Sequence, residues 1–243
     1  MSQNWLFYLI VTSVVVVGFL LLTRRLTRPV LFLLGSMLVV ELTLAALSLR
    51  NWPLEYRLVP WFIDMISEER NGPTLLAATQ LAVLGIFALY HARGLIRRWT
   101  WRDAYWLLIG VAFLIMAADE YVQIHEYFPD WKYVYGALGM LLVAATLVTF
   151  RRQWPEQRLV LFLIVGGLAV MAAGGIIIEH VVLFRGCFDL VEDCFRLQIF
   201  EEFFELLGAS LVLAAVIEHT LRQGARSQRR QAARFVAAGP PGV

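Results

Sequence analysis

Residues 159–178 read LVLFLIVGGLAVMAAGGIII, with no charged side chain among them. As a helix rising 1.5 Å per residue, such a stretch is about 30 Å long, the thickness of a bilayer's hydrocarbon core. The apolar run continues to residue 184, and the rest of the chain repeats the pattern. Apolar stretches lie at 5–22, 30–49, 74–91, 104–128, 133–150, 159–184 and 197–219. The fourth loses its clean apolar character after Ala118, and the seventh qualifies only if Glu201, Glu202 and Glu205 are allowed inside it. The fold class expected is therefore all-α: a polytopic bundle of seven transmembrane helices, one domain over residues 1–221, followed by a basic tail at 222–243.

Composition agrees. Apolar residues make up 60% of the 243 and charged residues 16%, with a mean hydropathy of +0.68. An ordinary soluble domain is about 45–50% apolar and about 25% charged. A soluble enzyme, a secreted disulfide scaffold and a coiled coil are excluded, and no charge-rich, apolar-poor segment points to disorder. No Lys or Arg precedes the first span, and Arg24, Arg25 and Arg28 follow it, so it is expected to stay as an anchor rather than be cleaved.

The basic residues fix an orientation. With the N-terminus outside, Arg24, Arg25 and Arg28, then Arg93, Arg97, Arg98 and Arg102, then Arg151, Arg152 and Arg158, then the tail arginines all fall on the inner side. That side takes 15 of the 21 basic residues, leaving Arg50, Arg57, Arg70, Lys132, Arg185 and Arg196 outside. The positive-inside rule thus gives N-out and C-in in a bacterial inner membrane, with inner arginines against anionic lipid head groups. Membrane lipids are the expected partners, and nucleic acid is not, because no soluble domain remains to bind it. The outer stretch 50–73, apolar first and charged later, reads as a short helix lying in the interface. Cys187 and Cys194, the only cysteines, face the outer side between the last two spans, where a disulfide is expected.

The carboxylates carry the chemical information. Span four ends in ADEYVQIHE, residues 118–126; its apolar run from Ala104 to Ala118 covers only about 22 Å. Asp119 and Glu120 therefore fall inside the outer third of the hydrocarbon, with His125 and Glu126 near the interface. On span seven, Glu201, Glu202 and Glu205 precede an apolar run of 12 residues, and Glu205 lies about 20 Å above Glu218, level with Asp119. Span six ends in Glu179 and His180, and span two carries Glu41 near the midplane. Eight carboxylates and two imidazoles thus gather in one half of the membrane. Helical periodicity places Asp119, Gln123 and Glu126 on one face and turns His125 and Tyr121 away from it.

Each buried charge costs a few kcal/mol even on the lenient insertion scale, and no basic side chain within the spans lies at this depth. Arg185 and Arg196 can neutralise two carboxylates at most. The others need protons, a bound cation or an open watery cavity. A single intramembrane Glu is often a protonated hydrogen-bonding link between helices, and Glu41 fits that role as readily as a ligand role. Glu126 can equally be solvated at the interface. The set as a whole, Glu41, Asp119, Glu120, His125, Glu126, Glu179, His180, Glu201, Glu202 and Glu205, matches the ligand inventory of carboxylate-bridged di-iron or di-manganese bundles. The Glu-x-x-His spacing of those sites is missing. Iron, manganese or zinc suit the set; calcium or magnesium suit its all-oxygen subsets.

Other cofactors fit less well. Retinal needs a lysine in the last span, and the sole lysine, Lys132, lies in a loop, so no retinal is expected. A haem between His125 and His180 is disfavoured. The seven-span layout resembles the alkaline-ceramidase-like membrane hydrolases, but their HxxxH zinc motif is absent and His219 stands alone at the inner end of span seven. The two acidic helices themselves, with DE-x4-HE at 119–126 and EE-x2-E-x2-G at 201–208, resemble those of uncharacterised bacterial multi-pass inner-membrane proteins. That resemblance implies no known activity; it implies that Asp119, Glu120, His125, Glu126, Glu201, Glu202, Glu205 and Gly208 act together.

Three functions follow. The first is a metal site, serving an enzyme that acts on a lipid or lipid-soluble substrate at the outer leaflet, although no activated nucleophile stands out and Ser210 carries no mark of one. The second is a proton- or cation-coupled transporter, which lacks a visible polar path through the inner half and an inverted repeat. The third is an accessory subunit whose acidic helices meet a membrane-protein partner. Spans one and five, without Asp, Glu, Lys, Arg or His, would be walls against lipid or partner. Gly166, Gly167, Gly174 and Gly175 read as close helix packing, and Trp5, Trp99, Trp101 and Trp131 as interfacial anchors.

Overall fold

The computed structural model describes residues 3–22, 24–51, 72–93, 100–128, 130–151, 154–178 and 191–237, with side chains throughout except at 3–7, 50, 51, 125, 126, 154–156, 191–197, 230 and 234–237. Among the described residues there are seven α-helices: α1 (Gln3–Leu22), α2 (Arg28–Asn51), α3 (Gly72–Ala92), α4 (Trp101–Val122), α5 (Trp131–Phe150), α6 (Trp154–Ala172) and α7 (Val191–Ala237). Five segments are long and apolar enough to cross a membrane: Arg28–Leu49, Gly72–Ala92, Trp101–Val122, Trp131–Phe150 and Gln157–Ile178. The chain is a multi-pass membrane protein. Its first helix contributes a shorter apolar stretch, Tyr8–Leu22. The last carries Glu201, Glu202, Glu205 and Glu218 along the stretch expected to cross.

α7 is the axis of the bundle. α6 packs along it most extensively, and α2 and α3 pack against it as well, while α3 and α4 form a tight pair of their own. Two glycine pairs set the closest approaches. A Cβ on Gly85 would sit 3.0 Å from the carbonyl oxygen of Gly110, and one on Gly110 would sit 3.0 Å from that of Gly85. Between α6 and α7 the corresponding figures are 2.7 Å from Gly167 to the Gly208 oxygen and 2.6 Å in return. Neither backbone pair can approach so closely with a side chain between, which is the small-residue logic of membrane interfaces. Gly166, read from sequence as part of the same packing, has nothing near it.

Many apolar side chains of the bundle face outward. Val14 and Leu21 on α1, Phe32 and Val39 on α2, Ile86 on α3, Ile115 on α4, Met140 on α5 and Phe162 on α6 are all exposed. A belt of this kind is unfavourable in water and at ease in lipid. α1 and α5 are the expected walls: α1 packs against α2 with Tyr8 Oη donating to the Leu42 carbonyl at 3.0 Å, and α5 buries little beyond Leu142, Thr146 and Phe150.

Three boundaries differ from the sequence reading. α4 stops at Val122 rather than running to 128. Gln123 takes a left-handed conformation (φ 58°, ψ 42°), its N–H bonds back to the Asp119 carbonyl, and a 3-10 turn follows at Ile124–Tyr127. This costs a non-glycine residue about 1–2 kcal/mol, and it voids the helical extrapolation that turned His125 away from Asp119. In the sixth span the helix loosens into a π turn at Ala173–Ile178, and residues 179–190 lie outside the described set. The basic tail is not separate from the last span either: α7 runs unbroken for 47 residues, about 70 Å, to Ala237. The interfacial segment expected at 50–73 falls almost wholly outside the described residues, as does the Cys187–Cys194 bridge.

Candidate functional site

Polar side chains meet α7 at three levels. The first is the acidic end. Asp119, buried in the last turn of α4, accepts a hydrogen bond of 2.5 Å from Tyr135 Oη on α5. A carboxylate beside the unpaired carbonyls of a helix C-terminus is unfavourably placed, so the phenol is a needed donor. Glu120 and, from α7, Glu205 lie within electrostatic reach of the same phenol. The Glu205 carboxylate reaches the position a side chain on Gly175 would occupy, and Trp131 closes the same spot from α5. The π turn carries Gly174 and Gly175 here, with Gly174 held against the Glu201 carbonyl at 2.7 Å from its absent Cβ. Such turns are rare and frequently mark functional sites. Glu201 and Glu202 lie half-buried in each other's field.

The structure thus bonds Asp119 to Tyr135, with Glu120 and Glu205 within electrostatic reach of that phenol. No group of three or more His, Cys, Asp or Glu side chains is arranged to hold a metal ion among the described residues. The side chains of His125 and Glu126, and residues Glu179 and His180, fall outside that set.

The second level lies about five residues further along α7, some 7.5 Å. Glu41, expected from sequence in the same layer as the other acids, joins a different group. Its Oε1 accepts from Ser210 Oγ on α7 and from Gln80 Nε2 on α3 at 3.2 Å, and Gln80 Nε2 also reaches Ser210 Oγ at 3.4 Å. All three side chains are buried. Glu41 Oε2 and Gln80 Oε1 have no hydrogen-bond partner among the described residues.

The third level is the basic end, and it corrects the reading of His219 as solitary. His219 is fully buried against the rings of Trp106 (centroid 5.1 Å), His91 (5.5 Å) and Phe150 (5.7 Å). Arg102 Nη2 donates to its Nε2 at 2.8 Å, and its Nδ1 meets Gln157 Oε1 at 3.2 Å. His91 Nε2 meets Thr220 Oγ1 at 2.7 Å; that hydroxyl donates to the Val216 carbonyl, so the imidazole is the donor. Nearby, Tyr105 and Thr146 pair between α4 and α5 at 3.0 Å. The half of the bundle at the basic end is therefore more polar than the sequence pattern indicates. Tyr135, Gln80, Arg102 and Gln157 were not singled out by sequence reasoning as site members. The only signal was an amide at Gln80 and a phenol at Tyr135 within otherwise apolar runs.

Fold and site together define a helical membrane protein with titratable groups threaded through its interior. The chain belongs to the family described as domain of unknown function DUF8692, whose model matches residues 37–219. The matched stretch contains the first two levels and all of the third but Thr220, and leaves α1, the start of α2 and the tail outside it. Neither a curated protein nor a solved structure matches the chain.

Proposed function

We propose that this is a seven-span protein of the bacterial inner membrane, N-out and C-in, whose acidic end faces the periplasm and binds a divalent transition metal (iron, manganese or zinc). The observation that supports this reading is that Asp119 bonds Tyr135 while Glu120 and, from a second helix, Glu205 lie within electrostatic reach of the same phenol. Carboxylates gathered at one place attract positive charge, which a bound cation supplies. His125, Glu126, Glu179, His180, Glu201 and Glu202 are the residues from which such an ion would draw its remaining ligands. A carboxylate-held metal activates water or oxygen, with a spare carboxylate as acid or base, and the substrate class is a lipid or lipid-soluble molecule of the outer leaflet.

Elemental analysis of the detergent-purified protein tests this. The expected result is about one or two equivalents of metal in the wild type, lost in both Asp119→Ala and Glu205→Ala. Wild-type protein without metal after reconstitution rejects the reading. The second reading, proton- or cation-coupled transport, is favoured by one observation: the Glu41–Ser210–Gln80 group sits between the two ends and retains two buried oxygens without hydrogen-bond partners among the described residues. Proteoliposomes in which Glu41→Gln leaves ion-coupled uptake unchanged would reject that one.

A further inference from the structure

We propose that the Glu41–Gln80–Ser210 group is a binding site for a monovalent alkali cation such as sodium, held between α2, α3 and α7. All three side chains are buried, and the hydrogens they can donate are few enough to count. Gln80 Nε2 carries two, one directed at Glu41 Oε1 (3.2 Å) and one at Ser210 Oγ (3.4 Å). The Ser210 hydroxyl gives its single hydrogen to Glu41 Oε1. Every donor of the group is therefore spent, and two of the three bonds end on one oxygen. Glu41 Oε2 and Gln80 Oε1 are left as buried acceptors without a hydrogen-bond partner among the described residues. Each is bonded to the same carbon as one end of the 3.2 Å contact, so the two bare oxygens lie on adjoining groups.

Charge leads to the same ligand as the count of hydrogens. Glu41 lies within a membrane-spanning helix, and no charged side chain among the described residues acts on it electrostatically. A buried carboxylate without a counter-charge is costly. A cation resting on Glu41 Oε2 and Gln80 Oε1 answers the charge and both bare acceptors at once. Ser210 Oγ accepts from Gln80 with one lone pair and keeps the other as a further oxygen ligand. The ligand set is all oxygen and carries one negative charge, which one positive charge balances. Calcium asks for more oxygens and magnesium for a retained water shell, and neither suits a single carboxylate in a packed interior. The proposal deepens the transport reading and rests on the same group, supplying the coupling ion. Sodium binding without coupled uptake would reject transport and leave this site standing.

The test is the thermal unfolding midpoint of the detergent-purified full chain in sodium chloride against choline chloride at equal ionic strength. The wild type is expected to gain about 5 °C once sodium is about 100-fold above its dissociation constant. Glu41→Gln removes the charge and brings hydrogens of its own, and should gain nothing. Gln80→Leu should need about tenfold more sodium for the same gain. Asp119→Ala, altered at the acidic end, should gain as the wild type does. Equal midpoints of the wild type in the two salts overturn the proposal and leave a proton as the positive charge at Glu41. A gain that persists in Glu41→Gln, or one that is lost in Asp119→Ala, also overturns it, because the ion then sits elsewhere. Should Glu41→Gln fail to fold, Gln80→Leu decides the matter: an unchanged sodium requirement overturns the proposal.

Discussion

Glu41 and Glu218 are both 0% exposed, yet the bundle treats them in opposite ways. Glu218, at the basic end, is saturated. Its Oε2 accepts from the Thr27 backbone N–H at 3.0 Å and the Thr27 hydroxyl at 2.8 Å, its Oε1 from Arg222 Nε at 2.6 Å, and Arg222 in turn donates to the Arg25 carbonyl. It therefore staples the start of α2 to α7, and its charge is fully answered by the protein itself. Glu41 offers both its donors a single oxygen, and the other has none among the described residues. Burial alone does not separate a structural carboxylate from a functional one. The count of donors around it does, because a buried acceptor left unpaired costs about 1–3 kcal/mol that something outside the chain can recover.

The contrast extends to the two ends of the molecule. At the acidic end a phenol donates to a carboxylate, Tyr135 to Asp119; at the basic end a guanidinium donates to an imidazole, Arg102 to His219.

Mutations can break or sharpen this contrast. The largest effect is expected at Glu218→Ala, which strips the compensation from Arg222 and the α2 start: a loss of about 3 kcal/mol in unfolding free energy in detergent. A loss below about 1 kcal/mol would remove the staple from the argument. Tyr135→Phe takes the phenol from Asp119 at the acidic end and should cost about 1–2 kcal/mol. Unchanged stability and unchanged metal content would mean that the hydroxyl is not a working donor there. Thr27→Val keeps the backbone bond to Glu218 and loses the hydroxyl bond, an expected decrease of about 1 kcal/mol by chemical denaturation. Smallest of all is Glu41→Gln, expected to lie within about 0.5 kcal/mol of the wild type or above it, since the amide brings donors to a place that lacks them. If Glu41→Gln instead destabilises as much as Glu218→Ala does, the two glutamates are equivalent and the distinction drawn between them fails.

A steric test stands beside these. A Cβ on Gly167 would meet α7 while one on Gly166 would meet open space, so Gly167→Ala should destabilise the α6–α7 contact markedly while Gly166→Ala is neutral or stabilising. Equal effects would contradict the close approach of Gly167 to Gly208.

Much of the architecture was legible because the signal for a spanning helix is length and apolarity, and both are linear in the chain. The stretches at 30–49, 74–91 and 133–150 agree with α2, α3 and α5 to within a few residues. The stop at Gln123 was not legible, since nothing marks a glutamine for the left-handed region, and neither was the π turn, which shifts register without changing composition. The acids on α4 and α7 were visible as acids. Their meeting place was not, because Tyr135 belongs to a helix that the sequence marks as a wall.

By itself, the sequence determined that this protein lives in a membrane, that its helices number about seven, and that the charges of its two ends differ in sign. Those properties follow from which side chains a bilayer tolerates, residue by residue. The tertiary structure decided which polar groups face one another: Glu41 with Ser210 and Gln80, Asp119 with Tyr135, Arg102 with His219. Such pairings depend on how helices far apart in the chain are rotated and staggered. Glycine crossings at Gly85–Gly110 and Gly167–Gly208 set that stagger, and a hydrophobicity pattern is blind to it because lipid-facing and helix-facing side chains of a span are equally apolar.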